Sequence, residues 1–264
     1  MRRLIATVFL TCTLAACSSD LPQAPSSTLT ATCTQHDLTD PRSVPECLLG
    51  RRTISQDDHD SAIALLTRAR AMADSFRALG GTGAEFDNAA RIDRALGLIT
   101  SFQQRDLFTD SARFHRILDA VSVAMEVSSG SALVQGGVIR PATTPHLLWY
   151  SYPGLGAFFQ PVTTAQTVAN LVPKTTVTND SMLAVGQALY DYAIWREADG
   201  LRFPVWEYEF TWTSGGITND APWTSGMAQG LVMSIFADCY QRTGNPIWKD
   251  RAYEVLNSFK VNWA

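Results

Sequence analysis

Ala221-Pro222-Trp223-Thr224-Ser225-Gly226-Met227-Ala228-Gln229-Gly230 leads from a loop into an apolar helix. Between 224 and 242, apolar residues recur on almost every side of the helix, which predicts that it is buried on most faces. Thr224 or Ser225 can cap its first turn, and Asp220 is a competing cap. The segment therefore indicates the inner helix of a helical domain.

Further helices flank this one along the chain. Apolar residues recur with the period of a single buried helix face. The segments with this period are 57–79, 87–103, 110–127, 180–197 and 246–260. Short turns between helices of this length make neighbours antiparallel. The pattern predicts a mainly α fold of antiparallel helical hairpins, with two long non-helical inserts at 129–162 and 199–222.

The first residues are similar to a bacterial lipoprotein signal. Arg2 and Arg3 precede a short apolar run that ends in Leu14-Ala15-Ala16-Cys17. We expect Cys17 to carry the lipid, and the alternative is an ordinary secretory signal cut nearby. The protein would then be exported and lipid-anchored to the cell envelope. Ser18 favours the outer membrane if the source is Gram-negative.

Three regions follow from these features. Residues 1–17 are the expected signal, 18–49 a tether rich in Ser, Thr and Pro, and 50–264 the folded domain. Cys33 and Cys47 bracket a polar loop in the tether. We expect them to form a disulfide, because an exported protein folds in an oxidising compartment.

Composition limits which classes of ligand the protein is expected to bind. It is 46% hydrophobic with a net charge of −4, which suits one sizeable domain and gives no reason to expect nucleic acid. Binding of an anionic polymer would need Arg or Lys residues at the binding surface of the protein. No histidine has metal-ligand spacing to a cysteine, so we expect no metal site. Cys239 lies in the apolar helix, where we expect a buried small hydrophobic residue.

The second insert carries a strand-like segment with an aromatic side and an acidic side. By alternation, Trp206, Tyr208, Phe210 and Trp212 share one side, and Glu207, Glu209 and Thr211 share the other. Paired carboxylates can act as general acid and base, or they can form a solvated strand face. On a regular strand Tyr208 points away from Glu207 and Glu209. The three side chains could face the same substrate only if a bulge interrupted the strand.

Residues of both inserts and of the helix start are candidates for binding a ligand. Clustered rings either close the end of a helical barrel or form a platform for pyranose rings. The helix start can attract a carboxylate, and Gly226 and Gly230 leave a bare patch. Close helix packing, with Gln229 satisfied internally, is the alternative. The candidates for substrate binding are Tyr150, Tyr152, Gln160, Trp206, Trp223, Ser225 and Gln229.

Several segments resemble one family. Trp223–Gly230 is similar to the Trp-x-Ser-x-Met-Ala-Gln-Gly segment of the D-glucuronyl C5-epimerase C-terminal domain, and Phe159–Val162 to its Phe-Gln-Pro-Val stretch. Ala237–Gly244 resembles its Ala-x-x-Tyr-x-x-Thr-Gly ending, and the likeness runs from about Tyr150 onwards. The resemblance implies an α/α barrel that inverts C5 of a uronic acid within an acidic polysaccharide, with no organic cofactor.

Inversion at C5 requires a base on one face of the sugar and an acid on the other. The family's Trp-Tyr-Glu-Glu-Tyr-Pro segment lies downstream of the Met-Ala-Gln-Gly helix and is absent from 1–264. We therefore expect a C-terminally truncated chain with an incomplete barrel, in which Glu207, Tyr208 and Glu209 are the catalytic candidates. The alternatives are a polysaccharide lyase or glycoside hydrolase on the same scaffold, and a non-catalytic carbohydrate-binding lipoprotein.

Overall fold

The structure is a computed structural model that describes residues 40–80, 83–169 and 177–261. The expected signal and most of the tether, with Cys17 and Cys33, lie outside these ranges. Cys47 is disulfide-bonded, and its pairing with Cys33 stays a prediction. Within the described ranges, every helix is too short or too polar to cross a bilayer.

Each predicted helical segment contains a helix. The described helices are α1 (Ser43–Gly50), α2 (Gln56–Ala78), α3 (Ala84–Gln104), α4 (Ser111–Ser129), α5 (Pro161–Val168), α6 (Asn179–Asp191), α7 (Gly226–Thr243) and α8 (Pro246–Asn257). Side-chain caps define several starts, as where Ser55 and Asp58 form a reciprocal capping box before α2. The segment 180–197 ends as a helix at Asp191, because the chain turns there into a β-hairpin.

Both inserts contain strands rather than irregular loops. The strands are β1 (Leu133–Gln135), β2 (Val138–Arg140), β3 (Trp149–Tyr152), β4 (Gly156–Phe159), β5 (Ile194–Ala198), β6 (Leu201–Val205), β7 (Glu207–Tyr208), β8 (Trp212–Ser214), β9 (Ile217–Asn219) and β10 (Trp223–Thr224). Strands β1 to β4 form one antiparallel sheet in chain order, and β5–β6, β8–β9 and β7–β10 form separate two-stranded pairs.

The prediction of a mainly α fold closing toward an α/α barrel is wrong. The described residues form a mixed α and β structure with several small antiparallel sheets. One reason is the hairpin that follows α6. Asp199 and Gly200 both have positive φ, which suits the tight turn of a hairpin. They reverse the chain between β5 and β6, so residues 194–197, expected to end the helix at 180–197, belong to β5 instead.

Helix α4 lies between the two main apolar clusters. One cluster joins α4 to α1, α2 and α3 through residues such as Phe114 and Ile117. The other joins α4 to the four-stranded sheet and to α5–α8, with Val123 from α4 and Phe236 from α7. A helix that is apolar on two sides is buried on both. Helix α4, rather than α7, is therefore the most enclosed helix.

The expectation that the helix at 224–242 is buried on most faces holds only in part. Ile235, Phe236 and Cys239 on α7 are fully buried, which confirms the buried position of Cys239. Met227 and Tyr240 lie on a side that is open to solvent, with 57% and 37% exposure. Helix α7 therefore presents one face to solvent in the described structure.

Candidate functional site

Five aromatic side chains from four strands and one connecting loop meet beside the four-stranded sheet. The aromatic platform consists of Tyr152 on β3, Tyr208 on β7, Phe210, Trp212 on β8 and Trp223 on β10. The rings of Tyr208 and Trp223 stack with centroids 4.1 Å apart and planes at 10°. Tyr152 lies 4.4 Å from Phe210 and 5.9 Å from Trp212 between ring centroids. Trp212 is 40% exposed, so the platform reaches the surface.

Strand pairing builds this arrangement. The antiparallel pair β7–β10 places Trp223 directly opposite Tyr208, and such opposed side chains lie close enough to pack. The indole N–H of Trp223 donates to the carbonyl of Phe210 at 2.7 Å. Arg105, at the end of α3, donates to the carbonyl of Ala221 and so holds the loop that leads into β10.

A chain of hydrogen bonds connects two platform tyrosines. The hydroxyl of Tyr208 donates to Gln160 Oε1 at 2.9 Å, and Gln160 Nε2 donates to the hydroxyl of Tyr152 at 2.6 Å. Burial raises the pKa of both phenols, so both remain protonated at neutral pH. Three predicted site residues, Tyr152, Gln160 and Tyr208, are thus brought into direct contact.

Glu207 is buried behind the platform in a bidentate ion pair. Its exposure is 3%. Arg113 Nε and Nη2 donate to its two carboxylate oxygens at 3.0 and 2.9 Å. Arg196 donates to the same carboxylate from β5. Burial raises the pKa of Glu207, although Arg113 opposes that change.

Glu209 occupies a similar position beside Arg116. It is 4% exposed and accepts one hydrogen bond from Arg116 Nη1 at 3.3 Å. Burial raises its pKa to about 7, with Arg116 opposing. The same guanidinium bonds to the carbonyl of Tyr192 and lies 4.6 Å above its ring. Glu207 and Glu209 share one side, as predicted, but that side faces α4 and is not solvated.

Two other candidates are part of the core. Trp206 is fully buried, and its indole N–H donates to the carbonyl of Leu189 at 2.8 Å. Gln229 is 4% exposed, and its amide nitrogen donates to the carbonyl of Pro204 and to the hydroxyl of Ser258. The structure therefore shows Gln229 satisfied internally, which was the alternative to ligand binding.

The start of α7 is exposed next to the platform. Ser225 caps the helix by accepting from the backbone N–H of Ala228 at 3.4 Å. A side chain added at Gly226 or Gly230 would meet no described atom within 4 Å, so the bare patch is present.

Tyr150 lies two positions before Tyr152 on β3, and the centroids of the two rings are 5.1 Å apart.

Sequence reasoning missed Arg113, Arg116 and Arg196. All three pair with carboxylates behind the platform. Arg113 and Arg116 interrupt the apolar stripe of α4 three positions apart, and both are 3% exposed. A charge on the buried face of a helix requires a partner, and that signal could have identified them.

Two surface depressions lie away from the platform. One has a volume of about 690 Å³ and is lined by Arg140 at the end of β2, His146 in the loop before β3 and Asp180 on α6, among others. The other, of about 300 Å³, lies against α2 and α3. Neither is lined by a platform residue. Among the described residues, no three His, Cys, Asp or Glu side chains form a group that could hold a metal ion.

Comparison with known proteins gives one match. Residues 200–264 match the sequence model of the family described as D-glucuronyl C5-epimerase C-terminus. No curated protein and no solved structure matches the chain. The matched segment begins at the β5–β6 turn and includes four of the five platform residues, all but Tyr152. Over residues 200–264, the chain resembles the D-glucuronyl C5-epimerase family, which supports an epimerase-like function.

Proposed function

We propose that the protein binds a uronic-acid-containing polysaccharide at the aromatic platform and acts there as a uronosyl C5-epimerase. The observation that carries the proposal is the position of the family match. Residues 200–264 include Tyr208, Phe210, Trp212 and Trp223, which form most of the platform. Trp212, at 40% exposure, supplies the accessible flat ring that suits the C–H face of a sugar, whereas Tyr208 and Phe210, at 4% and 5%, support it from below.

The chemistry in this proposal is removal and return of a proton at C5. The C5–H bond is acidified by the neighbouring carboxylate, so an acid and a base are needed on opposite faces of the ring. Of the sequence-derived catalytic candidates, Tyr208 faces the platform, with 4% exposure. Glu207 and Glu209 lie on the other side of β7 and, in our proposal, support the site by holding β7 against α4.

The test of this function is isotope exchange. The purified protein is incubated in heavy water with glucuronan or a heparosan-like polymer, and deuterium at C5 is measured by mass spectrometry after depolymerisation. We expect incorporation of deuterium without loss of polymer length. Absence of C5 deuterium from both polymers overturns the epimerase proposal.

The same incubation separates the alternatives. A lyase forms an unsaturated product that absorbs in the ultraviolet, and a glycoside hydrolase releases new reducing ends. Retention of the polymer on the protein without any of these changes favours a carbohydrate-binding lipoprotein.

Substitution of the exposed platform ring tests where the polymer binds. We expect Trp212→Ala to weaken polymer binding about tenfold, equivalent to about 1.4 kcal/mol, because it removes the exposed ring from the contact surface. Phe259→Ala is the matched control, because Phe259 is 50% exposed and is not part of the platform. Equal affinity of Trp212→Ala and the unsubstituted protein, measured by calorimetry, would place the ligand elsewhere.

A further inference from the structure

The hydrogen bonds within the platform have a defined direction. The hydroxyl of Tyr208 donates its proton to Gln160 Oε1 at 2.9 Å. The amide of Gln160 is thereby oriented, and its Nε2 donates to Tyr152.

This direction leaves one proton uncommitted. Tyr152 accepts from Gln160, and this is the one hydrogen bond that its hydroxyl makes among the described residues. Tyr152 is only partly buried and lies beside the exposed ring of Trp212. Its O–H is therefore a donor at the accessible edge of the platform.

The cations behind the platform are committed to carboxylates. Arg113 and Arg196 pair with Glu207, and Arg116 pairs with Glu209. None of these guanidinium groups is available to a ligand on the aromatic side of β7. A donor to an acidic sugar at this edge must therefore come from another residue, and the O–H of Tyr152 is one such group.

We propose that Tyr152 is the specificity-determining residue of the platform, where its hydroxyl donates to a carboxylate oxygen of the bound sugar. Gln160 is the positioning residue, because its N–H occupies the oxygen of Tyr152 and directs the proton outward. This inference rests on the proposed function and deepens it. The hydroxyl of Tyr152 selects uronic acids over the corresponding neutral sugars, because a hydrogen bond to a charged acceptor is the stronger one.

The experiment compares two ligands that differ at one group. Affinity is measured by calorimetry for glucuronan oligosaccharides and for the same oligosaccharides after reduction of the carboxylates to hydroxymethyl groups. We expect Tyr152→Phe to weaken binding of the carboxylated ligand about tenfold. Binding of the reduced ligand should change less than about twofold, since the ring of residue 152 is retained.

Gln160→Glu supplies a second, independent variant. A carboxylate at position 160 can only accept, so it would draw the proton of Tyr152 inward. We expect the same selective loss of affinity for the carboxylated ligand. Tyr253→Phe is the matched control, because Tyr253 is an exposed tyrosine on α8 outside the platform, and its affinity should equal that of the unsubstituted protein.

The outcomes separate this inference from the function on which it rests. Binding of neither ligand by the unsubstituted protein overturns the proposed function together with the inference. If the unsubstituted protein binds and Tyr152→Phe loses affinity equally for both ligands, or for neither, the role of Tyr152 alone is overturned. Thermal unfolding of each variant, with an unchanged midpoint, verifies that the loss of affinity is not a loss of fold.

Discussion

Gly136 and Gly137 form the turn between β1 and β2, and both have positive φ. A Cβ at Gly137 would lie 2.9 Å from Cζ of Tyr150, whereas a Cβ at Gly136 would meet nothing within 4 Å. Position 137 therefore requires glycine for two reasons: its backbone has a positive φ, and the ring of Tyr150 packs against it. Gly136 is required for its conformation only.

This difference predicts the effects of two alanine substitutions. Gly136→Ala should destabilise the protein by about 1 kcal/mol, the conformational cost of a positive φ. Gly137→Ala should cost more, because the ring of Tyr150 must also move. The measurement is urea unfolding of both variants, and equal losses would show that the contact with Tyr150 contributes nothing.

Glu207 is a residue whose removal leaves a buried charge without its partner. Glu207→Ala removes the carboxylate that pairs with buried Arg113, whereas Arg196 keeps its ion pair with Asp110. We expect a loss of about 3–5 kcal/mol in the free energy of unfolding, as for other broken buried ion pairs. Glu197→Ala on the neighbouring strand β5 is the control and should change stability by less than about 0.5 kcal/mol, since Glu197 is exposed.

Among the secondary-structure elements, the contact between helix α4 and strand β7 determines where the aromatic platform lies. Strand β7 is only two residues long, which is too short for its own ladder to position it firmly. The ion pairs from Arg113 and Arg116 hold it against α4 on one side. Tyr208, on the other side, stacks on Trp223 and bonds to Gln160.

The burial of Glu209 predicts a dependence of stability on pH. Burial raises the pKa of Glu209 from 4.5 to about 7 in the folded protein, so the folded state binds this proton more tightly than the unfolded chain does. Its contribution to stability is complete below pH 4.5 and declines as pH rises toward 7. Burial also raises the pKa of Asp119, to about 6, which acts in the same direction.

Glu209→Gln tests this pH dependence. A glutamine at 209 does not titrate, so the decline in the free energy of unfolding between pH 4.5 and 7 should be shallower than in the unsubstituted protein. Urea unfolding at several pH values provides the measurement. An identical slope in the two proteins would exclude Glu209 as a source of the decline.

At the scale of the whole molecule, α4 couples the two apolar clusters. Ile117 packs in the cluster with α1–α3, and Val123 packs in the cluster with the sheet and α5–α8. The same helix also supplies Arg113 and Arg116 to the acidic side of β7. We therefore expect the two clusters to unfold together.

Ile117→Ala tests this coupling. The substitution should cost about 2–5 kcal/mol, because Ile117 is fully buried. Trp149, Trp206 and Trp248 pack in the cluster with the sheet and α5–α8, so their fluorescence reports on the cluster to which Ile117 does not belong. We expect the midpoints by fluorescence and by circular dichroism to shift equally. A shift in circular dichroism alone would mean that the clusters unfold independently.

Local pattern was sufficient for the helices and for the two sides of β7. A helix face and a strand face each follow from residues a few positions apart, so α2–α4, α7 and α8 and the opposite sides of Glu207 and Tyr208 were predictable. Trp206 departs from the alternation, because it packs in the cluster of α7 rather than with Tyr208 and Phe210. Ser225 as the cap of α7 was one of the expected caps. The helix predicted over 180–197 ran too far, because its last residues belong to β5.

Contacts between distant residues were decided by the tertiary structure. Glu207 meets Arg113 across 94 positions of sequence, and no local period indicates such a pairing. Trp206 and Glu207 are neighbours in sequence, yet Trp206 enters the core whereas Glu207 pairs with α4. Within the described residues the helices form no barrel, and the strands of the inserts form several small antiparallel sheets instead. Local periodicity thus determines which face of an element is apolar, and only long-range packing determines what that face contacts.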